Sequence, residues 1–354
     1  MSATISFVIA AYNLQAYVDA CIDSVIACAQ PGDEIIVVND GSIDQTGALI
    51  DAARARSPLL TTLHKANGGV ASTRAAGLRQ ATRDYVLFLD GDDVVVPGTV
   101  MQARAVLQAQ RPDILVMDYL EWQDGSDTLT PSRARSHPPG QLSLDAIRNL
   151  QETFDDCLPA LWGRLIRRQL FERLPDPPFP ASTMHEDLAT TPHIVAVAHS
   201  QFYLPRPVVH YRVRAGSQTA ERSERSCVDT VRAAAHARRA IEHLPPDAAL
   251  TLQADVFMAR KLLEAVHLCR EVSSPRYALY AAITDQALAA MSSPRAALLQ
   301  RLATSPRPQD RQVRSHLSQA MAWPHGYAAL QSTLGGLKAR RAARRARRGT
   351  NPAR

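Results

Sequence analysis

Three carboxylates within four residues give the strongest chemical signal in the sequence. Asp90, Asp92 and Asp93 follow the apolar run at residues 85–89, so they stand where a buried strand is predicted to end. Carboxylates this close repel one another unless a cation lies between them. Mg²⁺ and Mn²⁺ take carboxylate, water and phosphate oxygens, so the cluster predicts a divalent metal on Asp92 with Asp90 and Asp93. The alternative is an acidic turn that caps a helix beginning near Pro97.

Polar residues also follow three other apolar runs. Ligands bind an open α/β sheet at the edge where its parallel strands end, so four such clusters predict one binding edge. The carboxylate of Asp40 could accept the N–H of uracil, and Tyr12 could stack on the same ring. A half-buried aromatic at a strand end is the alternative for Tyr12. The candidate ligand-binding residues in these three clusters are Ala11, Tyr12, Asn13, Asp40, Gly41, Asn67 and Gly69.

Arg74 follows the glycine pair Gly68-Gly69 by about one helical turn. Glycine lets the backbone approach a ligand closely, and the Arg74 guanidinium could reach a phosphate; a solvated helix face is the alternative. The chain has neither G-x-G-x-x-G nor G-x-x-x-x-G-K-[ST]. A dinucleotide oxidoreductase and a P-loop nucleotidase are therefore disfavoured.

The elements that would position these residues alternate between strand and helix. Apolar strands separated by helices predict a parallel sheet covered on both faces. Asp44 and Ser72 stand where helix N-caps are expected. The predicted strands are residues 5–11, 34–39, 59–64, 85–90 and 114–119, and the predicted helices are 17–28, 46–56, 70–81 and 99–110.

The pattern after Glu121 is less regular. A polar stretch at 125–140 predicts a surface loop, and the proline-rich stretch at 175–180 predicts an extended one. After residue 215 helical spacing dominates, with breaks at proline-containing segments. The remaining predictions are helices at 142–154, 161–174 and 187–199 and strands at 201–204 and 208–213.

Composition and charge narrow the class of protein. The chain has 354 residues, 46% of them hydrophobic, and a formal net charge of +6. Eight basic residues follow Leu337, which leaves 32 basic against 34 acidic residues in the rest of the chain. The body is therefore not expected to bind nucleic acid specifically. No run reaches the ~20 apolar residues of a membrane span, and five cysteines without a CxxC pair favour a reducing cytoplasm.

The chain resembles the family 2 glycosyltransferases, including bacterial capsule and exopolysaccharide sugar transferases. The stretches that carry the resemblance are FVIAAYNLQAYVDACIDSVI, EIIVVNDGSIDQT, NGGVASTRAAGL and DYVLFLDGDD, over residues 5 to about 100, with a looser match to about 215. The resemblance implies an α/β fold of the GT-A type, a Rossmann-like mixed sheet flanked by helices and followed by a helical C-terminal region. One departure is that many members carry proline or threonine where this chain has Ala10 and Ala11, which removes a side-chain hydrogen bond.

Domain boundaries follow from this resemblance. Residues 1–105 would form the nucleotide-sugar-binding half of the GT-A domain and 106–215 the acceptor-binding half. Residues 216–335 would form the helical region, and 336–354 the basic tail.

The resemblance also implies roles for individual side chains. Asp40 would hold the nucleobase, and Asp92, with Asp90 or Asp93, would hold Mg²⁺ or Mn²⁺ against the pyrophosphate. The pair Glu186-Asp187 matches a family motif whose aspartate is the usual catalytic base, so Asp187 is the first candidate and Glu186 the second. A helix N-terminus complemented by two acidic residues is the alternative.

Two further segments resemble the acceptor half of the family. Trp162 lies in a segment similar to a Trp-Asn-Lys-Leu motif, with glycine and arginine in place of asparagine and lysine, and could stack on a sugar or pack in the core. Arg212 or Arg214 lies in a segment similar to a loop that closes over the pyrophosphate, and either could bind phosphate or decorate a strand edge.

These predictions combine into one expected activity. The chain would be an inverting, metal-dependent transferase that moves a sugar from a nucleotide diphosphate, with UDP favoured, to a hydroxyl of a glycan or lipid-linked glycan. The rival is a catalytically silent sugar-nucleotide-binding scaffold; a nucleotidyltransferase is disfavoured because the first strand lacks a glycine-rich basic loop. The expected location is cytoplasmic, with the basic tail on the anionic inner face of the membrane; a disordered tail and nonspecific RNA binding are alternatives.

Overall fold

A computed structural model of the protein describes residues 3–131, 138–156, 160–180, 184–214, 216–217, 222–272 and 277–349, with side chains as far as Gly336. The chain divides into two compact units. The N-terminal unit comprises Met1–Ala181 and Glu186–Ser217, and the C-terminal unit comprises Ser182–His185 and Gln218–Arg354. The sequence places the corresponding boundary at residue 215.

The N-terminal unit is built on one mixed sheet. Within the described residues the strand order is β3-β2-β1-β4-β9-β6-β10-β5, with β7 beside β6 and β8 beside β10. The strands are β1 (Ile5–Ala11), β2 (Glu34–Asn39), β3 (Leu60–His64), β4 (Tyr85–Asp90), β5 (Val94–Val95), β6 (Ile114–Gln123), β7 (Leu129–Pro131), β8 (Leu142–Ser143), β9 (Arg164–Arg167) and β10 (Gln201–Val213).

The central strands are parallel and buried on both faces, as their apolar sequences predict. All seven residues of β1 are buried, and it pairs in parallel with β2 on one side and β4 on the other. Helices cover both faces of the sheet, so the side chains that point to either face contact apolar neighbours. The helices of this unit are α1 (Val18–Ile26), α2 (Thr46–Ala53), α3 (Gly69–Gln80), α4 (Pro97–Gln110), α5 (Ala146–Asp156) and α6 (Glu186–Val197).

The helix predicted at 161–174 is wrong, because this segment contains the strand β9. Residues 164–167 form a strand, and Arg168–Arg173 form a 3₁₀ helix. β9 lies antiparallel between β4 and β6, pairing through Ile166 with both Val86 and Ile114. A short apolar run is compatible with a strand and with a helix. Here the segment forms a strand because it can hydrogen-bond to β4 on one side and to β6 on the other.

Three other local predictions also need correction. Residues 142–143 form β8, and the helix begins at Ala146. The two strands predicted at 201–213 are one strand, β10, because its prolines fall where the register against β6 shifts. Ser72 lies inside α3, whose N-cap is Gly68.

The C-terminal unit is helical. Its described helices are α7 (Glu224–Arg238), α8 (Ala248–Cys269), α9 (Tyr277–Ala290), α10 (Arg295–Ala303), α11 (Asp310–Ala322) and α12 (Pro324–Gly349). An apolar cluster joins α8, α10 and α11 through residues such as Leu263, Leu298 and Leu317. Side chains of the basic tail after Gly336 lie outside the described residues, as does Arg354 altogether.

Candidate active site

The carboxyl ends of three adjacent strands meet at one edge of the sheet, which we call the strand-end rim. Ala11 pairs with Asn39 across β1 and β2, and Ala10 pairs with Asp90 across β1 and β4. The sequence clusters that follow these strands are therefore neighbours in space. This is the edge at which open α/β sheets bind ligands.

The loop after β1 is tied to the loop after β2. Asn13 adopts a left-handed backbone conformation with φ 52°, which asparagine tolerates better than most residues. Its backbone N–H donates to Ser42 Oγ at 3.0 Å, and its Oδ1 accepts from the N–H of Ile43 at 3.0 Å. Tyr12 is 46% exposed beside this junction, so its ring is available to a ligand.

Asp40 is buried and organises the glycine loop. Its carboxylate accepts the backbone N–H of Gly68 at 2.9 Å and that of Gly69 at 2.8 Å, and it also pairs with Lys65. Gly41 has φ 71°, and a Cβ there would lie 2.8 Å from the backbone nitrogen of Asn67. The predicted contacts Asp40, Gly41, Asn67 and Gly69 are thus brought together, and Asp40 also shapes the loop that carries the last two.

Arg74 joins two predicted site residues. Its side chain is 3% exposed, donates to Asp90 Oδ1 at 2.6 Å and pairs with Glu186 through its other terminal nitrogen. Glu186, at the start of α6, is also 3% exposed. In this arrangement the Arg74 guanidinium faces two carboxylates, so the solvated-face alternative does not describe it.

Asp187 lies beside the same carboxylates. It is partly exposed in the first turn of α6, and its Oδ1 accepts the N–H of Leu188 at 2.7 Å. Burial raises the pKa of Asp90, Arg74 opposes the rise, and the negative charges of Asp92 and Asp187 add to it. Asp92 and Asp187 therefore each lie within electrostatic reach of Asp90.

Asp92 and Asp93 point to different partners. Asp92 Oδ2 accepts from Arg214 Nε at 2.7 Å. Asp93 is 1% exposed, and its Oδ1 accepts the backbone N–H of Arg212 at 2.8 Å. Its Oδ2 has no hydrogen-bond partner among the residues described, and burial holds the Asp93 pKa well above its usual range. Through its bond to Arg212, Asp93 joins the DGDD turn to β10.

Arg212 is packed between aromatic rings. Its guanidinium carbon lies 3.8 Å from the ring centroid of Trp122 and 4.9 Å from that of Tyr17. One terminal nitrogen donates to Asp124 at 2.9 Å, and Asp124 also accepts from the Tyr17 hydroxyl at 2.8 Å. These contacts hold Arg212 in a cation–π arrangement, and Arg214 is the arginine that faces Asp92.

Trp162 belongs to an aromatic cluster. It is 7% exposed, its ring stacks on Tyr211 at 5.3 Å, and its edge meets Tyr119 at 4.6 Å. The described contacts are those of a core residue, and its predicted acceptor contact stays a prediction.

Residues 6–175 match the family described as Glycosyl transferase family 2. This segment belongs to that family. The matched region contains the strand-end clusters and the DGDD turn, and it ends before Glu186 and Arg212.

Relatives and solved structures agree with this assignment. The chain is 29% identical over 177 residues to the Bacillus subtilis protein named uncharacterized glycosyltransferase EpsJ, a match that covers 48% of this chain and 49% of EpsJ. The chain thus spans about half the length of this curated relative. The S. aureus TarS 1–349 structure in complex with UDP-GlcNAc covers 93% of this chain and 90% of its own, with TM-score 0.71 and 18% identity. The mannosyltransferase PcManGT from Pyrobaculum calidifontis, in complex with GDP-Man and Mn²⁺, covers 94% and 88% with TM-score 0.54 and 20% identity. These structural matches show the GT-A fold of the family.

The carboxylate oxygens of Asp90 and Asp92 are of the ligand type that divalent Mg²⁺ and Mn²⁺ prefer. Each carboxylate has one oxygen on an arginine, while Asp90 Oδ2 and Asp92 Oδ1 have no partner in the described part of the chain. Mg²⁺ uses one or two carboxylates and fills its remaining positions with water and substrate phosphate, so two such oxygens suffice. Across the described ranges, no group of three or more His, Cys, Asp or Glu side chains is arranged to hold a metal.

Sequence reasoning missed several residues of this family 2 site. Lys65 and Asp124 carry no motif signal, because each acts through a partner distant in sequence. Tyr17 lies at the start of the region predicted as α1 and gives no sign that its hydroxyl binds Asp124.

Among the helices whose residues are described, none is both long and apolar enough to cross a membrane.

Proposed function

We propose that this protein transfers a sugar, with inversion, from a nucleotide-diphosphate donor to a hydroxyl of a glycan or lipid-linked glycan. The observation that carries the proposal is the Arg74 guanidinium of a family 2 domain, which binds both Asp90 at the strand-end rim and Glu186, the neighbour of Asp187. Two carboxylates with free oxygens suit a metal–diphosphate complex, and a third, beside them, suits a proton acceptor.

Donor binding would use the residues of the first three strand ends. Tyr12 offers an exposed ring to a base, and the remaining lone pair of Asp40, on Oδ2, can accept a base N–H while the carboxylate holds Lys65, Gly68 and Gly69. TarS binds UDP-GlcNAc and PcManGT binds GDP-Man. The choice of UDP follows the sequence prediction that Asp40 accepts the N–H of uracil.

The diphosphate would lie against Asp90 and Asp92. When bound there, Mg²⁺ or Mn²⁺ neutralises charge on the departing diphosphate. Arg214, which faces Asp92, supplies a second positive charge from β10's end. Because the diphosphate leaves as a stabilised anion, no acid is required on its side.

Asp187 would take the proton of the acceptor hydroxyl. As the proton moves to the Asp187 carboxylate, the acceptor oxygen bonds to the anomeric carbon and the bond to the diphosphate oxygen breaks with its electron pair. Glu186 is less suited to this task, because its carboxylate is buried against Arg74. A single displacement of this kind inverts the anomeric configuration.

Two variants and one control test the proposal. Asp187→Asn should lower transfer by about 10²–10⁴-fold while leaving UDP binding in place. Asp92→Asn should abolish the Mn²⁺-dependent rise in melting temperature that UDP produces by mass action. Asp285→Asn, on the exposed side of α9, is the matched control and should change neither.

The measurements are thermal shift with UDP-sugars and GDP-mannose, with Mn²⁺ or EDTA, and product formation on an acceptor panel. Donor binding without any transfer or hydrolysis would favour the alternative, a catalytically silent sugar-nucleotide-binding scaffold. Full transfer by Asp187→Asn would contradict the assignment of the base.

Membrane contact through the basic tail remains a proposal. A lipid-linked acceptor would place the enzyme at the inner face of the membrane, where basic residues gain about 1 kcal/mol each near anionic lipid. The tail side chains lie outside the described residues, so this proposal is carried by sequence and not by structure.

A further inference from the structure

A cavity of about 520 Å³ opens in the N-terminal unit away from the strand-end rim. Its lining comes from β8, the start of α5 and the start of β10. Gln201, the first residue of β10, pairs with Ile114 of β6. Ile166 of β9 pairs with both Ile114 and Val86, so Ile114 is level with Val86 near the N-terminal end of β4. Asp90 ends β4 four residues later, roughly 13 Å along the strand. The cavity therefore lies towards the opposite edge of the sheet.

The decisive feature of the cavity is the side chain of Gln201. Gln201 lines the cavity and is only 2% exposed, and neither its Oε1 nor its Nε2 has a hydrogen-bond partner in the described part of the chain. A buried amide without partners costs about 1–3 kcal/mol per group and is rare in folded proteins. Both amide atoms are buried in the described conformation, so ligand binding requires a rotation of the Gln201 side chain that brings the amide to the cavity surface. The site thus retains a donor and an acceptor that the fold itself does not use.

Arg148 and Glu152 in the lining form an ion pair, and Asp145 caps the start of α5. Arg148 Nε donates to Glu152 Oε1 at 2.9 Å, and the backbone N–H of Arg148 donates to Asp145 Oδ1 at 2.9 Å. Among the lining residues that the structure describes, the cation is Arg148, and its charge is compensated by Glu152. An apolar occupant would leave the Gln201 amide unpaired.

The rest of the lining suits a carbohydrate. Leu142 is 37% exposed and Leu144 is 73% exposed, so two apolar side chains also line the cavity. A sugar has C–H faces for leucine and hydroxyls that both donate and accept for an amide. The volume falls within the roughly 300–1,000 Å³ of small-ligand sites.

We propose that this cavity is a secondary carbohydrate-binding site that takes a neutral sugar residue through the Gln201 amide. The choice of a carbohydrate rests on the proposed function, since a transferase that extends a glycan meets such chains. Because the cavity lies towards the sheet edge opposite Asp90, it would hold a part of the glycan that takes no part in the chemistry.

Methyl NMR of leucine-labelled full-length protein tests the site directly. The neutral probes are maltotetraose, mannotetraose and chitotetraose, and the anionic probe is tetragalacturonate. At least one neutral probe should shift the methyls of Leu142 and Leu144, whereas UDP should shift those of Leu14, whose N–H binds Thr46 near the rim. Silence of Leu142 and Leu144 with every neutral probe, or a stronger response to the anion, overturns the proposal. Silence of Leu14 with UDP would instead contradict the proposed function.

Variants separate a ligand site from an internal water site. Gln201→Leu should weaken the neutral-sugar response at least tenfold, while the melting temperature stays the same or rises because an unpaired amide is lost. Gln108→Leu makes the same change on the exposed side of α4 and should leave the response intact. An unchanged response in Gln201→Leu would show that the amide serves only an internal water, and the proposal would fail.

Discussion

The guanidinium of Arg74 on α3 binds the carboxylate of Glu186 at the start of α6, and both side chains are 3% exposed. The same guanidinium donates to Asp90. One buried cation thus connects the end of β4 to the helix that carries Asp187. The helix of the candidate base and one candidate metal ligand, Asp90, are therefore positioned by a single shared partner.

Removal of the Glu186 carboxylate should separate stability from chemistry. Glu186→Ala is expected to destabilise the N-terminal unit by about 3 kcal/mol, because it breaks a buried ion pair. It should lower kcat more than it raises KM, because Asp187 loses its anchor. Urea unfolding and steady-state kinetics measure both effects. Glu186→Gln, which keeps an acceptor for Arg74, should recover much of each, and a Gln variant as inactive as Asp187→Asn would make Glu186 the base.

The Arg214–Asp92 pair should compete with metal. Arg214→Met frees Asp92 Oδ2, and Mn²⁺ should bind the donor-free protein about fivefold more tightly, the equivalent of about 1 kcal/mol for a partly exposed pair. Electron paramagnetic resonance of free Mn²⁺ gives the affinity. Arg206→Met, an exposed substitution on β10, is the control. Weaker Mn²⁺ binding in Arg214→Met would show that the pair assists the metal.

Close packing of α3 on the sheet should make Gly77 intolerant of a side chain. A Cβ at Gly77 would lie 2.3 Å from Val8 Cγ1, and overpacking of this kind costs about 1–3 kcal/mol. Gly77→Ala should therefore lower the melting temperature despite a better helix propensity. Gly98→Ala in α4 meets nothing within 4 Å and should be neutral or stabilising. Equal melting temperatures for the two variants would contradict this packing.

The stability of the C-terminal unit should fall in mild acid through His316. Burial, with help from Arg270 and His267, lowers the pKa of His316 to about 4, and its Nδ1 lies 2.7 Å from the Tyr327 hydroxyl. Between pH 6.5 and 4 the unfolded chain binds a proton that the folded chain does not, so stability is lost as pH falls through this window. The loss is roughly 3 kcal/mol at most. Thermal unfolding of His316→Gln should show a shallower pH slope than the wild type, and parallel curves would refute the assignment.

The strand-end rim could be predicted because it depends on local pattern. Ile- and Val-rich runs mark β1, β2 and β4, and parallel pairing brings Ala11, Asn39 and Asp90 to one edge. The match of residues 6–175 to family 2 is carried by the same stretches.

The remaining contacts could not be predicted, because they join residues distant along the chain. Arg74 and Glu186 are 112 residues apart, and no periodicity reports such a pairing. β9 was equally hidden, since its four residues fit a helix until the neighbouring strands are known. The burial of Trp162 against Tyr211 likewise depends on where β10 runs.

The place of β9 has a consequence for synthesis of the protein. β4 and β6 leave the ribosome before the strand that joins them, because Arg164–Arg167 comes later in the chain than either. At roughly 5–20 residues per second, translation leaves both edges unpaired for several seconds. During that interval the nascent chain exposes two open backbone ladders, and they become one continuous sheet only when four late residues arrive between them.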